Sequence, residues 1–280
     1  MTNPTQYYRP RSLNEALALA AQPGTLAMAG GALTFGHQVL PYASVVDLQD
    51  IADLKTVAVD ETGLRIGAVL TLSALLDQPE LPAALKSALT RTLSPNVLNG
   101  ASVGESLRGR AHVLLQEWLA ALVALGAAAE TINPQHVAAH RERHMLITAD
   151  QRLEEELITA LLLPPMGPRT KLGTAHVART PADAAIVCAA ACVKFDEAGK
   201  VSSAMAALTG VSAAPVEGFA LGALSGWPLN HETAQAAAEQ IIWRIDPPDD
   251  YLGSADYRRS MAAVCLTRAL EACAAQLESE

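Results

Sequence analysis

Two short runs of this sequence have the residue types that hold a phosphate. In "AMAGGALTFG", residues 27–36, a strand-like stretch enters Gly30–Gly31 and then turns; in "GASVGES", residues 100–106, two glycines sit among small side chains ahead of a helical segment. Adjacent glycines let successive backbone N–H groups converge on an anion, and little side-chain bulk keeps the approach open. A helix N-terminus beside such a loop adds a favourable dipole. Either run taken alone is equally an ordinary turn. One residue stands out against the phosphate reading. Glu105 puts a carboxylate inside the second run, where a like charge ~4 Å from a half-solvated phosphate costs a few kcal/mol.

Other candidate chemistry reads more plainly. His136, His140 and His144 recur at intervals of four in "HVAAHRERH" and on a helix would share one face. Arg141 and Arg143 crowd that segment with positive charge, so a solvated surface stretch is expected rather than a metal centre. His37, His112 and His176 are isolated. "DPPDD" at 246–250 gathers three carboxylates, but its prolines and the following "GSADYRR" fit a turn and a helix cap, with Ser254 capping and Tyr257 three residues on. Trp118, Trp227 and Trp243 read as core or interface anchors. Cys188, Cys192, Cys265 and Cys273 lie in apolar stretches without CxxC spacing, which indicates buried free thiols rather than an iron–sulfur or zinc site. No G-x-S-x-G signature offers a serine nucleophile.

The elements that must position these residues follow from pattern. With half of the 280 residues hydrophobic and 18% charged, a substantial packed core is expected. The net charge of −9 argues against nucleic acid, because phosphate-backbone binding needs clustered Lys and Arg; the nearest basic run is "RGR" at 108–110. No apolar run reaches transmembrane length and no apolar leader opens the chain, so a cytoplasmic protein is expected. "RSLNEALALAAQPG" opens a helix at Ser12, with Glu15 as in a capping box and Gly24 as its end. "TLAMAGG" and "SVVDL" read as strands, and "KTVAVDETGLRIGAVLTLSALL" as two strands joined at Glu61–Gly63. "PAALKSALTRTL" and "HVLLQEWLAALVALG" are helices flanking the second glycine run, the latter capped by Gly126. "HMLITAD" and "ELITALLLPP" read as strands. The Pro-rich "PPMGPR", 164–169, marks the main boundary, giving a region 1–168 (with parts of about 1–57 and 58–168) and a smaller one, 169–280. The second opens with a hairpin turning at Glu197–Gly199. Helices over "APVEGFALGALSG", "HETAQAAAEQIIWRI" and about 254–277 complete it. The class is α+β, since strands and helices do not alternate as in a doubly wound dinucleotide fold.

Taken together these stretches resemble the FAD-binding medium subunits of the molybdenum hydroxylases, the group with the xanthine dehydrogenase flavin domain and the carbon monoxide dehydrogenase medium subunit. "YYRPRSLNEALALAAQPGTLAMAGG" is similar to the family's Y-x-x-P-x-S-x-x-E-A followed by A-G-G. "VVDLQDIADLKTVAVDETGLRIGAVLTLSAL", "LEEELITALLLPP", "GVSAAPVEGFALGALSGWPL" and "PPDDYLGSADYRRSMAAVCLTRAL" extend the likeness over almost the whole chain, with G-S-A-x-Y-R-R at Gly253–Arg259 the most specific element. The resemblance implies a two-part FAD-binding domain followed by a C-terminal domain with an antiparallel sheet and helices. It implies FAD as cofactor, with Ala29, Gly30, Gly31, Ala32, Leu33 and Thr34 as one backbone cradle for the pyrophosphate and Ser102, Gly104 and Ser106 in a second. Glu117 takes the place of the family's downstream Asp; Thr174 and His176 stand where Tyr and Lys are common near the flavin ring. The implied partners are an iron–sulfur small subunit and a molybdopterin large subunit, with electrons passing from those clusters through FAD to an outside acceptor. The substrate-hydroxylating centre lies on another polypeptide.

The sequence also departs from that pattern. Where the family's second loop reads T-I-G-G-N, this one reads Ser102–Val103–Gly104–Glu105–Ser106, and the positions after Gly30–Gly31 are Ala32 and Leu33 rather than polar residues. These changes motivate a rival reading, a structural subunit that keeps the fold and has lost or weakened flavin binding. An independent flavin oxidase is the weakest reading, since residues 29–36 hold no His or Cys for covalent attachment.

Overall fold

The computed structural model describes residues 4–33, 42–108, 114–135, 140–146, 152–180 and 183–278. They form an α+β structure of three sheets. The first is small and parallel, with strands β1 (Gln6–Tyr8), β2 (Thr25–Met28) and β3 (Ser44–Asp47) in the order β1-β3-β2. Helix α1 (Leu13–Ala20) connects β1 to β2, and Ser12 caps it by accepting the Glu15 amide at 3.3 Å. All four residues of β3 are buried, as a central parallel strand demands.

The second sheet is antiparallel and five-stranded. Its strands are β4 (Val57–Asp60), β5 (Gly63–Gly67), β6 (Ala128–Ile132), β7 (Arg141–Met145) and β8 (Leu157–Leu163), in the order β4-β5-β8-β6-β7. A helical insert leaves this sheet after β5 and returns at β6. It comprises α2 (Leu72–Leu76), α3 (Ala83–Thr92), α4 (Pro95–Gly100), α5 (Val103–Ser106) and α6 (Gln116–Leu125). Every residue from Glu117 to Leu125 is buried. A helix apolar all round must be covered on all sides, and α6 is: its side chains share one core with β5, α2 and α3 and with Leu172, Cys188, Ala190 and Ala207 of the C-terminal sheet. Gly126, with φ +78°, ends it in the left-handed cap read from the sequence.

A short helix α7 (Arg152–Glu155) precedes β8. The third sheet is antiparallel in the order β12-β11-β10-β9, from β9 (Thr170–Val177), β10 (Val187–Phe195), β11 (Val201–Thr209) and β12 (Glu217–Ala220). Helices α8 (His231–Ile242) and α9 (Ala255–Glu278) bury one face of it, their Ala234, Ala238, Leu266 and Leu270 packing on Val187, Ala189 and Leu208.

Three expectations need correction. The stretch 214–226 is not a helix: it forms β12 and a 3-10 turn at Gly222–Leu224. Gly218 and Gly222 penalise a helix there, and the edge of β11 offers a ladder on which Phe219 is buried. "TLSALL" supplies helix α2, not the end of a strand. The segment of four-spaced histidines, expected as a solvated surface stretch, is strand over Arg141–Met145 and buries His144; His136 and most of its neighbours lie outside the described residues, as do His37 and His112. The tryptophans divide: Trp118 is sealed in the core, whereas Trp227 and Trp243 are exposed. The four thiols are free, and burial pushes Cys273 up to about 12.

The G-S-A-x-Y-R-R element earns its specificity through Arg258, only 3% exposed. Its guanidinium donates to the carbonyls of Ile186 (2.7 Å) and Gly210 (3.1 Å) and pairs with both oxygens of Asp250 (2.7 and 2.8 Å), while Ser254 caps α9 by accepting the Tyr257 amide at 3.2 Å. Arg258→Met removes every one of those donors, and the two orphaned carbonyls are expected to cost about 2–4 kcal/mol in denaturant unfolding. The hydrogen bond from Arg258 holds the Asp250 carboxyl below its ordinary range. The stability it confers is present above the unfolded carboxylate value and is lost as pH falls through the folded one. The wild-type and Arg258→Met stabilities therefore converge on the acid side.

Candidate functional site

The two glycine runs lie against one another. Gly30 and Gly31 have φ of +93° and +100°, a conformation that only glycine adopts readily, and an added Cβ on Gly30 would sit 2.3 Å from the Gly100 carbonyl oxygen. The turn aims two backbone amides at one point, and that point is occupied by a side chain of the second run. The Glu105 carboxylate accepts the Gly31 amide on Oε2 at 3.1 Å and the Leu33 amide on Oε1 at 3.0 Å. Glu105 is 6% exposed. A carboxylate so buried is tolerable only because donors meet it.

The second run is not an open loop. It is the one-turn helix α5, and its amides are already engaged: Val103 donates to the Leu70 carbonyl (2.9 Å), Gly104 to Ala68 (2.8 Å), Glu105 to the Ser102 hydroxyl (3.2 Å) and Ser106 to the Ser102 carbonyl (3.0 Å). Gly104 is needed for packing, since a Cβ there would stand 3.0 Å from Ala68 Cβ. The Ser106 hydroxyl is fully buried, donating to the Val103 carbonyl (2.7 Å) and accepting the Trp118 indole N–H (3.1 Å). As main-chain donors of a second cradle, Gly104 and Ser106 are therefore corrected, since both amides are bonded inside the protein, while Ser102 still lines the cleft beside the turn.

Beside this junction runs a narrow cleft lined by Met28, Ala29, Leu33, Tyr42, Val69, Ser102, Gly104, Glu105 and Arg108, among others. Tyr42 and Arg108 also line a second hollow that continues toward Asn133 and Glu155. Arg108 is the site residue that sequence reasoning passed over. Its signal was membership of the short basic run at 108–110. Ala32 is exposed at the turn, and Thr34 lies outside the described residues.

Glu117 and His176 do not line that cleft. They belong to a separate polar cluster where α6 meets β9. Glu117, 5% exposed, forms an ion pair with Arg91 Nε through Oε2, accepts the Thr174 hydroxyl on Oε1 at 2.6 Å, and has His176 Nδ1 3.4 Å from Oε2. Arg91 Nη1 is buried and finds no partner among the described residues. Burial and then the Arg91 cation hold the His176 imidazole below its ordinary 6.5, with Glu117 pulling the other way.

The third of the four-spaced histidines, His144, is buried on β7 with Nε2 3.6 Å from Glu142 and 3.4 Å from Glu156. These three bring one ligand atom each within 4.8 Å of one another. An imidazole held between two carboxylates is equally at home in an ion pair, and nothing further here points to a metal.

Two outcomes are expected from the α6–β9 cluster. Glu117→Ala strands the Arg91 guanidinium and should lower unfolding stability by about 3–5 kcal/mol. Adding Arg91→Met should recover much of that loss, because the stranded charge is gone. His176 titrates below its unfolded value, so the unfolded chain takes the proton first as pH falls below 6.5. Stability then declines from that point toward the folded value, and melting temperatures between pH 7 and 5 should fall more steeply for wild type than for His176→Gln.

Comparison with known proteins places this geometry. Residues 3–166 match the family described as the FAD binding domain in molybdopterin dehydrogenase, and residues 175–273 the CO dehydrogenase flavoprotein C-terminal domain. The carbon monoxide dehydrogenase medium chain of Afipia carboxidovorans is 31% identical over 285 residues, covering 95% of both chains. Reconstituted CO dehydrogenase from Oligotropha carboxidovorans has a chain that superposes with a TM-score of 0.83 at 25% identity, covering 99% of this chain and 100% of that one. Quinoline 2-oxidoreductase from Pseudomonas putida 86 shares the fold, with a TM-score of 0.80 at 24% identity over 99% of this chain and all of the other. The turn suits an anion, since its Gly31 and Leu33 amides both donate to the Glu105 carboxylate, whose oxygens are of the kind a phosphate would present. The chain belongs to the FAD-binding medium-subunit family of the molybdenum hydroxylases.

Proposed function

We propose that this chain is the flavin-carrying, electron-transferring subunit of a molybdenum-hydroxylase-type oxidoreductase complex. The observation that carries the reading is the Gly30–Gly31 turn, whose Gly31 and Leu33 amides converge on a single anion. Its medium-chain relative from Afipia carboxidovorans is part of a carbon monoxide dehydrogenase. Partners of the same kind are proposed here: a small subunit with iron–sulfur clusters and a large subunit with the molybdopterin centre. No helix among the described residues is long and apolar enough to cross a membrane; a cytoplasmic location is the proposal that suits four free thiols.

When bound, FAD would supply the redox chemistry, accepting electrons from the partner's clusters and delivering them to an outside acceptor. The protein supplies position and charge. Ala29, Gly30, Gly31, Ala32 and Leu33, with Thr34 beyond, would hold the diphosphate by main-chain donors, and Arg108 would face it as a counter-charge across the cleft. Apolar Met28, Val69 and Leu33 would keep water from the bound cofactor. Glu117 and His176, in their cluster with Thr174, are assigned to the side where the 169–280 domain meets the 1–168 domain.

A second reading has its own observation. Because the Glu105 carboxylate already fills the cradle, a flavin-free structural subunit is the alternative. The purified complex separates them: a flavin band near ~450 nm in stoichiometric amount is expected, since light absorption is the cofactor's own property. A colourless complex with all three subunits present would leave the structural role.

A further inference from the structure

We propose that Glu105 is a built-in anion that competes with the cofactor's diphosphate for the Gly31 and Leu33 amides, so that flavin uptake requires this carboxylate to leave. The inference rests on the cradle assignment above and says what governs its occupancy. Its geometry is bidentate, with one carboxylate oxygen on each amide. Its backbone is fixed, because Ser102 caps α5 by accepting the Glu105 amide at 3.2 Å and the neighbouring Gly104 packs on Ala68. The carboxylate is therefore delivered to the cradle by the fold itself.

In the second run the amides of residues 103–106 are all bonded within the protein and do not turn toward an anion. The turn amides are what this junction offers an anion, and two anions cannot share them. At ~4 Å the carboxylate and a phosphate would repel by several-fold more than thermal energy in a half-buried site. Release is physically simple, because the Glu side chain swings on rotatable bonds while α5 stays in place. Arg108, three residues on, donates to the Glu156 carbonyl at 3.3 Å and brings a positive charge to the wall of the same cleft. Held in place, Glu105 keeps the glycine turn folded when flavin is absent. Once displaced, it leaves a formed cradle behind.

The test uses the full chain and two flavins, titrated by fluorescence. Riboflavin lacks the diphosphate, so Glu105 does not oppose it. For Glu105→Gln, FAD affinity should rise at least ~10-fold over wild type, while riboflavin affinity stays within about twofold. Amide hydrogen exchange supplies a readout without any cofactor: Gly31 and Leu33 should be protected in flavin-free wild type and should exchange faster in Glu105→Ala. FAD binding of equal strength in wild type and Glu105→Gln overturns the competition and leaves the flavoprotein function standing. Unprotected Gly31 and Leu33 amides in the wild type overturn it even where a variant fails to fold. Tight FAD binding by Glu105→Gln with none by wild type upholds the competition and removes the flavoprotein function instead. Failure of both proteins to bind FAD overturns both.

Discussion

A charge can be buried only where the fold brings donors to it, and the pairing of the Glu105 carboxylate with the amides of Gly31 and Leu33 meets that condition between two distant parts of the chain. This contact ties the loop after β2 to the helical insert that leaves the second sheet. It also explains neighbouring choices that look unrelated. Gly30 needs its bare α-carbon because the Gly100 carbonyl presses against it, and Gly104 needs one because Ala68 does. Remove the carboxylate and the turn amides have no partner; add a side chain at Gly30 and the two runs cannot meet.

Next to that junction in the chain, further buried polar contacts lie toward the middle of the molecule. Ser106 accepts the Trp118 indole, and Trp118 adjoins Glu117, which gathers Arg91, Thr174 and His176 around one carboxylate. Both centres are acidic side chains sealed from water by an apolar surround and neutralised by specific donors. In each, the protein has put its own carboxylate where an anion would be welcome. The two differ in their donors: neutral amides at Glu105, a guanidinium at Glu117. A guanidinium with a buried, unpartnered nitrogen is a costly thing to leave exposed to change, which makes the α6–β9 junction structural before it is anything else.

Much of the fold was legible from pattern. The alternation of Leu64, Ile66 and Ala68, the Glu61–Gly63 turn, the Glu197–Gly199 hairpin turn and the Gly126 cap all depend on local sequence, and local physics is sufficient for them. The stretch 214–226 was misread, because its alanines and leucines suit a helix; Gly218 and Gly222 weaken that pattern, and the edge of β11 makes Glu217–Ala220 a strand. The burial of His144 was hidden for a similar reason. Its charged neighbours suit solvent, and only pairing with β6 carries that side chain inward.

At the site, residue types and spacing alone determined that two glycine-bearing runs exist and that a carboxylate sits in the second, because those facts are properties of the residues. The family was legible as a resemblance to known motifs. What that carboxylate does was decided in three dimensions. Read along the chain, Glu105 is a negative charge spoiling a phosphate loop; folded, it reaches 72 to 74 positions away to ligate the other turn. Sequence separation conceals such a contact, since nothing local to either run requires the other. The same holds for Arg108, whose place on the cleft wall comes from the packing of α5 against β8 and not from its neighbours in the chain.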